Sequence, residues 1–154
     1  MQAPSPLKKA QRTLGVLATA ATLWIAAAVP AFATVDDAHS AAMEAATPFV
    51  EQGFIVREDY WNGEVKSGQK LMIRHQMFKG NEYAFWLGTS QENITFELKV
   101  FDEAGKEIDL DPKSGEMNAS VRVNPPNTGT YTIVFSLTSK KEKSVYWALA
   151  YGYR

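Results

Sequence analysis

From residue 54 onward, apolar and polar residues alternate with a period of two, segment after segment. This constrains the chain more than any other feature, because period two sends alternate side chains to opposite faces of a strand. The clearest case is 94–101, where Ile94, Phe96, Leu98 and Val100 point one way and Thr95, Glu97, Lys99 and Phe101 the other. In 130–138, Tyr131, Ile133, Phe135 and Leu137 share a face. In 145–153, Val145, Trp147, Leu149, Tyr151 and Tyr153 alternate with Tyr146, Ala148, Ala150 and Gly152. Less regular strands are expected over 54–61, 70–78, 82–87, 107–110 and 119–123. Turn chemistry separates them: Asn62-Gly63 has the dipeptide of a tight turn, and glycines punctuate 66–68, 79–81, 102–105 and 113–115. Asn124-Pro125-Pro126-Asn127 cannot be a central strand, because two prolines remove two donors. Residues 139–143 form a charged hairpin tip. About eight short strands at this spacing predict an all-β protein, an antiparallel β-sandwich or a small barrel. The half-polar alternation predicts that each sheet keeps one wet face.

The 53 residues before this region read differently. Lys8, Lys9 and Arg12 precede an uncharged apolar run over 14–29, then Pro30 and Ala31-Phe32-Ala33, the small-x-small pattern of a signal-peptidase site. The expectation is a cleavable signal peptide over 1–33, with the mature chain starting at Thr34. An uncleaved anchor is the alternative, since 14–33 could just span a bilayer. The run is Ala-rich, however, and ends in the cleavage pattern. Residues 34–53 predict a short N-terminal helix or a tether. Asp36 and Asp37 suit a first turn, and Val35, Ala38, Ala42 and Ala45 fall at helical spacing. Pro48 is expected to end the helix near Thr47. So small an apolar face makes such a helix marginal alone. The expected organisation is therefore a leader over 1–33, a helical segment over 34–53 and a β-sandwich over 54–154.

Charge and composition narrow the function classes. After residue 33 there are 13 Lys and Arg against 17 Asp and Glu, a mildly acidic balance that argues against a nucleic-acid partner. There is no Cys, which removes disulfide scaffolds, thiolate metal sites, Cys nucleophiles and lipobox anchors. An exported chain without Cys suits a bacterial periplasm or exterior better than a eukaryotic secretory route. In that setting the acceptor patterns Asn93-Ile94-Thr95 and Asn118-Ala119-Ser120 carry no consequence. No stretch after the leader is long and apolar enough to span a membrane. An outer-membrane barrel would need an apolar outward face, and Thr95, Glu97 and Lys99 contradict it.

Catalytic motifs are missing. Gly-x-Ser-x-Gly, the P-loop and Gly-x-Gly-x-x-Gly are all absent. His39 lies in the helical segment, and His75 shares a strand face with Leu71, Ile73 and Met77, which places it in the core or at its margin. Asp36, Asp37 and His39 are explained as first-turn helix residues rather than a metal site. Glu58-Asp59 and Asp109 with Asp111 are carboxylate pairs by composition alone and read as solvated strand edges. Lys140, Lys141 and Lys143 suit an edge-protecting hairpin tip. No catalytic residue, metal or cofactor is expected. Sixteen of the aromatics fall after the leader, and they are the informative remainder. Tyr60 and Trp61 precede the Asn-Gly pair, Trp86 lies opposite Tyr83 and Phe85, and Tyr146 lies opposite Trp147. These four are the candidate binding residues, as flat aromatics that stack on sugar rings or anchor a protein. The competing reading is that a second layer, such as the N-terminal helix, covers them.

Two segments together resemble a known family. One is Leu98 through Glu107, a strand, an Asp102-Glu103-Ala104-Gly105 turn and a return strand. The other is Asn124 through Ile133, a loop leading into Gly129-Thr130-Tyr131 and a strand. They resemble the bacterial pre-peptidase C-terminal domains, jelly-roll-like β-sandwiches of secreted proteins; Lys79 through Phe85 matches an earlier strand of that family. The resemblance covers about residues 65–138 and implies a noncatalytic accessory fold. Some members hold calcium. Here Asp102, Asp109 and Asp111 are too scattered for an ordered calcium loop, and no catalytic domain accompanies the sandwich. The expected function is a small exported binding or accessory protein acting on a protein or glycan of the envelope. A chaperone-like protein pairing through β-edges is the alternative, and a hydrolase ranks third.

Overall fold

The computed structural model describes residues 33–154; the expected signal peptide over 1–33, apart from Ala33, lies outside the described residues. The chain runs α1 (Val35–Val50), β1 (Ile55–Val56), β2 (Trp61–Lys66), β3 (Leu71–Met77), β4 (Tyr83–Thr89), β5 (Thr95–Phe101), β6 (Lys113–Ser114), β7 (Asn118–Val123), β8 (Gly129–Thr138) and β9 (Ser144–Tyr153). Every strand pairing is antiparallel. The larger sheet has the order β1-β9-β4-β7-β6, and β2 shares with β1 the outer side of β9. The smaller sheet has the order β3-β8-β5. The described residues thus form an antiparallel β-sandwich with one short helix, as the alternation predicts.

The sandwich core comes from the faces the alternation picks out. Tyr83, Phe85 and Leu87 of β4 and Trp147, Leu149 and Tyr151 of β9 meet Tyr131, Ile133, Phe135 and Leu137 of β8 and Leu98 and Val100 of β5. Phe135 lies edge-on to Trp147 with centroids 5.0 Å apart. The Tyr131 hydroxyl donates to the Asn127 carbonyl at 2.6 Å, tying the loop back to the strand it precedes, as the tyrosine corner of sandwich folds does. The turn at Asp102 forms as expected: its carboxylate accepts from Lys106 N–H at 2.8 Å.

Helix α1 makes a third layer on the outside of the larger sheet. Thr34 caps it: its hydroxyl accepts from Asp37 N–H at 3.1 Å while its own N–H donates to the Asp37 carboxylate at 3.1 Å, a reciprocal capping box. Ala38, Ala41, Ala42, Ala46 and Phe49 are buried. Beneath them lie Ala84, Trp86 and Ala150. The approach is so close that a Cβ on Gly88 would stand 2.2 Å from the Ala38 carbonyl oxygen and 2.3 Å from Ala42 N. Small residues on both sides let backbone meet backbone. At the far end the Arg122 guanidinium lies 4.8 Å over the Phe49 ring and Arg154 lies 4.9 Å over Phe54. Glu82 joins both guanidinium groups, at 3.4 Å and 2.6 Å.

Several expectations need correction. Pro48 does not stop α1, which continues to Val50. Its fixed φ is helical, and the packing of Phe49 on Trp86 at 5.5 Å outweighs one lost donor; Gly53, at φ 93°, turns the chain away instead. Asn62-Gly63 is not a tight turn but part of β2, paired with Ala148 and Trp147, because the open side of β9 offers a ladder. The expected strand over 54–61 is accordingly two strands broken between Val56 and Trp61. The 107–110 strand reduces to one bridge, Glu107 to Phe101. Lys113–Ser114, read as part of a turn, is β6. The larger sheet lacks the expected wet face along β4, all seven of whose residues are buried because α1 covers it.

Candidate functional site

The break between β1 and β2 organises the most unusual side-chain cluster of the molecule. Arg57 N–H still donates to the Tyr151 carbonyl at 3.0 Å. Residues 58–60 then leave the ladder. When pairing resumes, the neighbours Tyr60 and Trp61 have gone to opposite faces of the sheet. Tyr60 packs with the helix layer and stacks on His39, centroids 3.9 Å apart and planes 6° apart. Trp61 turns into the gap between the two sheets.

That gap is the open side of the sandwich, where edge strand β2 faces edge strand β3. It is filled by rings. His75 of β3 lies 4.4 Å from Tyr151 and 5.8 Å from Trp61, each edge-on. Trp61 lies 5.5 Å from Tyr151, tilted by 34°. Tyr83 and Phe85 close the inner end, at 6.2 Å and 6.0 Å from His75. Leu71 and Ile73, on the same face of β3 as His75, are only partly buried. The seam has a polar rim supplied by the β1–β2 break. The Tyr151 hydroxyl donates to the Asp59 carboxylate at 3.0 Å, and Arg57 lies 3.7 Å from the same carboxylate.

Burial sets the electrostatics. It holds the half-buried His75 imidazole below the usual histidine range, with the negative charge of Asp59 opposing it. It raises the Tyr151 hydroxyl, and the Asp59 carboxylate raises it further. At neutral pH the seam therefore presents a neutral imidazole and a neutral phenol beside one Arg–Asp pair. The rings offer flat apolar area and a few hydrogen-bonding edges, a combination suited to binding. Among the described residues no group of three or more His, Cys, Asp or Glu is placed to hold a metal. A groove of about 510 Å³ lies elsewhere, between 91–93 and 139–142.

The four aromatics singled out from sequence do not come together. Trp61 lies half-buried in the seam. Tyr60 belongs to the helix layer. Trp86 is wholly buried under α1, edge-on to Phe49, so its face is closed to any ligand. The exposed reading of Trp86 is overturned because the helix uses that face of β4. Tyr146 stands apart, half-buried and opposite Glu64. Sequence reasoning placed His75 at the core margin, where it is, but missed its partners. Tyr151 was legible, since it shares a strand face with Trp147. Asp59, read with Glu58 as a solvated carboxylate pair, instead meets Tyr151 and Arg57, and Arg57 carried no signal, because both roles depend on where the ladder breaks. Comparison with known proteins yields no matching family and no matching curated protein.

Proposed function

We propose that this is a small exported, non-catalytic binding protein of the bacterial envelope or exterior, acting through the seam between β2 and β3 on a protein partner. The observation that carries the reading is the ring cluster of Trp61, His75 and Tyr151 at an open side of the sandwich, rimmed by Arg57 and Asp59. A sugar-stacking site would favour coplanar, exposed rings. The 34° tilt of Trp61 against Tyr151 and the edge-on His75 favour a protein side chain or backbone instead. The β-edge reading draws support from the same place, since β2 and β3 both end their sheets here.

Tryptophan quenching tests the seam. Of the described tryptophans, Trp86 and Trp147 are buried, so acrylamide should reach chiefly Trp61. Envelope extract that contains the partner should shield Trp61, and a photo-crosslinker at position 57 should capture one discrete protein. A glycan panel that shields Trp61 while crosslinking captures nothing would replace the protein partner with a sugar. If Trp61 is never shielded, the seam is packing and the reading fails.

A further inference from the structure

The two sheets differ in width. The larger has five strand positions, with β1 and β2 sharing one of them; the smaller has three. On the β5 side the connection to β6 makes up the difference. Ile108 and Leu110 pack against the core there, and Ile108 N–H donates to the Val100 carbonyl at 2.8 Å. On the β3 side no described segment does. Among the described residues β3 pairs only with β8, and no backbone hydrogen bond reaches it from its other side. Seven residues of edge backbone, about 23 Å of strand at the usual rise, stand unpaired beside the half-buried Leu71, Ile73 and Trp61.

Charge singles out what this edge would accept. Residues 65–81 hold Lys66, Lys70, Arg74 and Lys79 and no acid, in a chain that is acidic after its leader. Lys70 meets Glu97 at 3.7 Å; Arg74 has no ion-pair partner among the described residues. Met72, at 72% exposure, lies beside Arg74 on the outward row of the strand. Such an edge repels a copy of itself, since antiparallel self-pairing centred on the strand would set Arg74 against Arg74.

We propose that the free edge of β3 is a strand-addition site for an extended acidic segment of a partner protein. The added strand continues the smaller sheet over β1 and β2. Its alternate apolar residues cover Trp61, Leu71 and Ile73, and its acidic residues face outward beside Arg74 and Lys70. Backbone pairing supplies affinity, while alternation and charge supply selectivity. This rests on the seam being the binding surface and names what it binds.

The test uses the purified protein and an acetylated heptapeptide alternating Glu with Val. Controls are a Lys–Val version and a Glu–Val version with N-methylated backbone amides. Binding is read by Trp61 fluorescence and by amide hydrogen exchange over 71–77. The acidic peptide should slow exchange over 71–77 and bind at least tenfold more tightly than either control. Arg74→Glu, at an exposed position, should reverse the preference between the Glu and Lys peptides. If Trp61 responds but exchange over 71–77 is unchanged, or the N-methylated peptide binds equally well, strand addition is overturned and the seam reading stands. If the acidic peptide does not bind and Trp61 also ignores envelope extract, both fall. Protection of 71–77 that grows with protein concentration alone would assign the edge to a second copy and overturn the proposal.

Discussion

Strand β4 meets two different neighbours. Toward the smaller sheet it presents Tyr83, Phe85 and Leu87, large side chains that interdigitate with Ile133, Phe135 and Leu137. Toward α1 it presents Ala84, Trp86 and Gly88, and at Gly88 the helix backbone itself is in contact. The inner face tolerates adjustment because side chains can shift rotamer. The outer face cannot, because backbone cannot yield. The inner face of this two-sided buried strand is thus held by interdigitated side chains, and the outer face by Trp86 and by a backbone contact that only Gly88 permits.

The largest break of that comparison is on the inner side. Phe135→Ala should cost about 3–5 kcal/mol, since removing a buried ring edge-on to Trp147 loses more volume than rotamer shifts can refill. Chemical denaturation should show one cooperative transition shifted to lower denaturant. Gly88→Ala adds one methyl on the outer side and should still cost about 3 kcal/mol, because it strikes Ala38 and Ala42 backbone. Its signature differs: Trp86 fluorescence should shift to the red as α1 lifts, while the strand signal in circular dichroism persists. A blue, unchanged Trp86 would mean that the helix accommodates the methyl and the contrast is wrong.

Thr34→Ala removes the cap without touching the seat and should cost about 1 kcal/mol, confined to α1. Faster exchange of the amides in the first turn of the helix, with the sandwich unaffected, is the expected readout. The smallest effect belongs to the seam. Because burial keeps the folded His75 below its ordinary value of 6.5, the unfolded chain takes up its proton first as pH falls. Stability should be insensitive to this group well above pH 6.5 and should decline as pH drops through that value. His75→Gln should flatten the dependence of melting temperature between about pH 7.5 and 5. An equal slope in both proteins would remove His75 as its source.

Much of the fold was legible in particular residues. The rows at 94–101, 130–138 and 145–153 place Phe96, Tyr131 and Trp147 on the core face, and each is buried or packed there. The expectation failed where a residue's state depends on a distant segment. Asn62-Gly63 reads as a turn until β9 offers it a ladder. Trp86 reads as a candidate binding aromatic until α1 lies on it.

The amino-acid pattern by itself determined the long, regular strands, their core rows and the absence of catalytic motifs, because period and residue type act locally. Only the tertiary structure decided that the helix is a third layer and that Trp61, His75, Tyr151 and Asp59 share one seam. It alone left the basic edge of β3 open. These depend on sheet order and on the unequal widths of two packed sheets, and neither quantity is a property of any short stretch of chain.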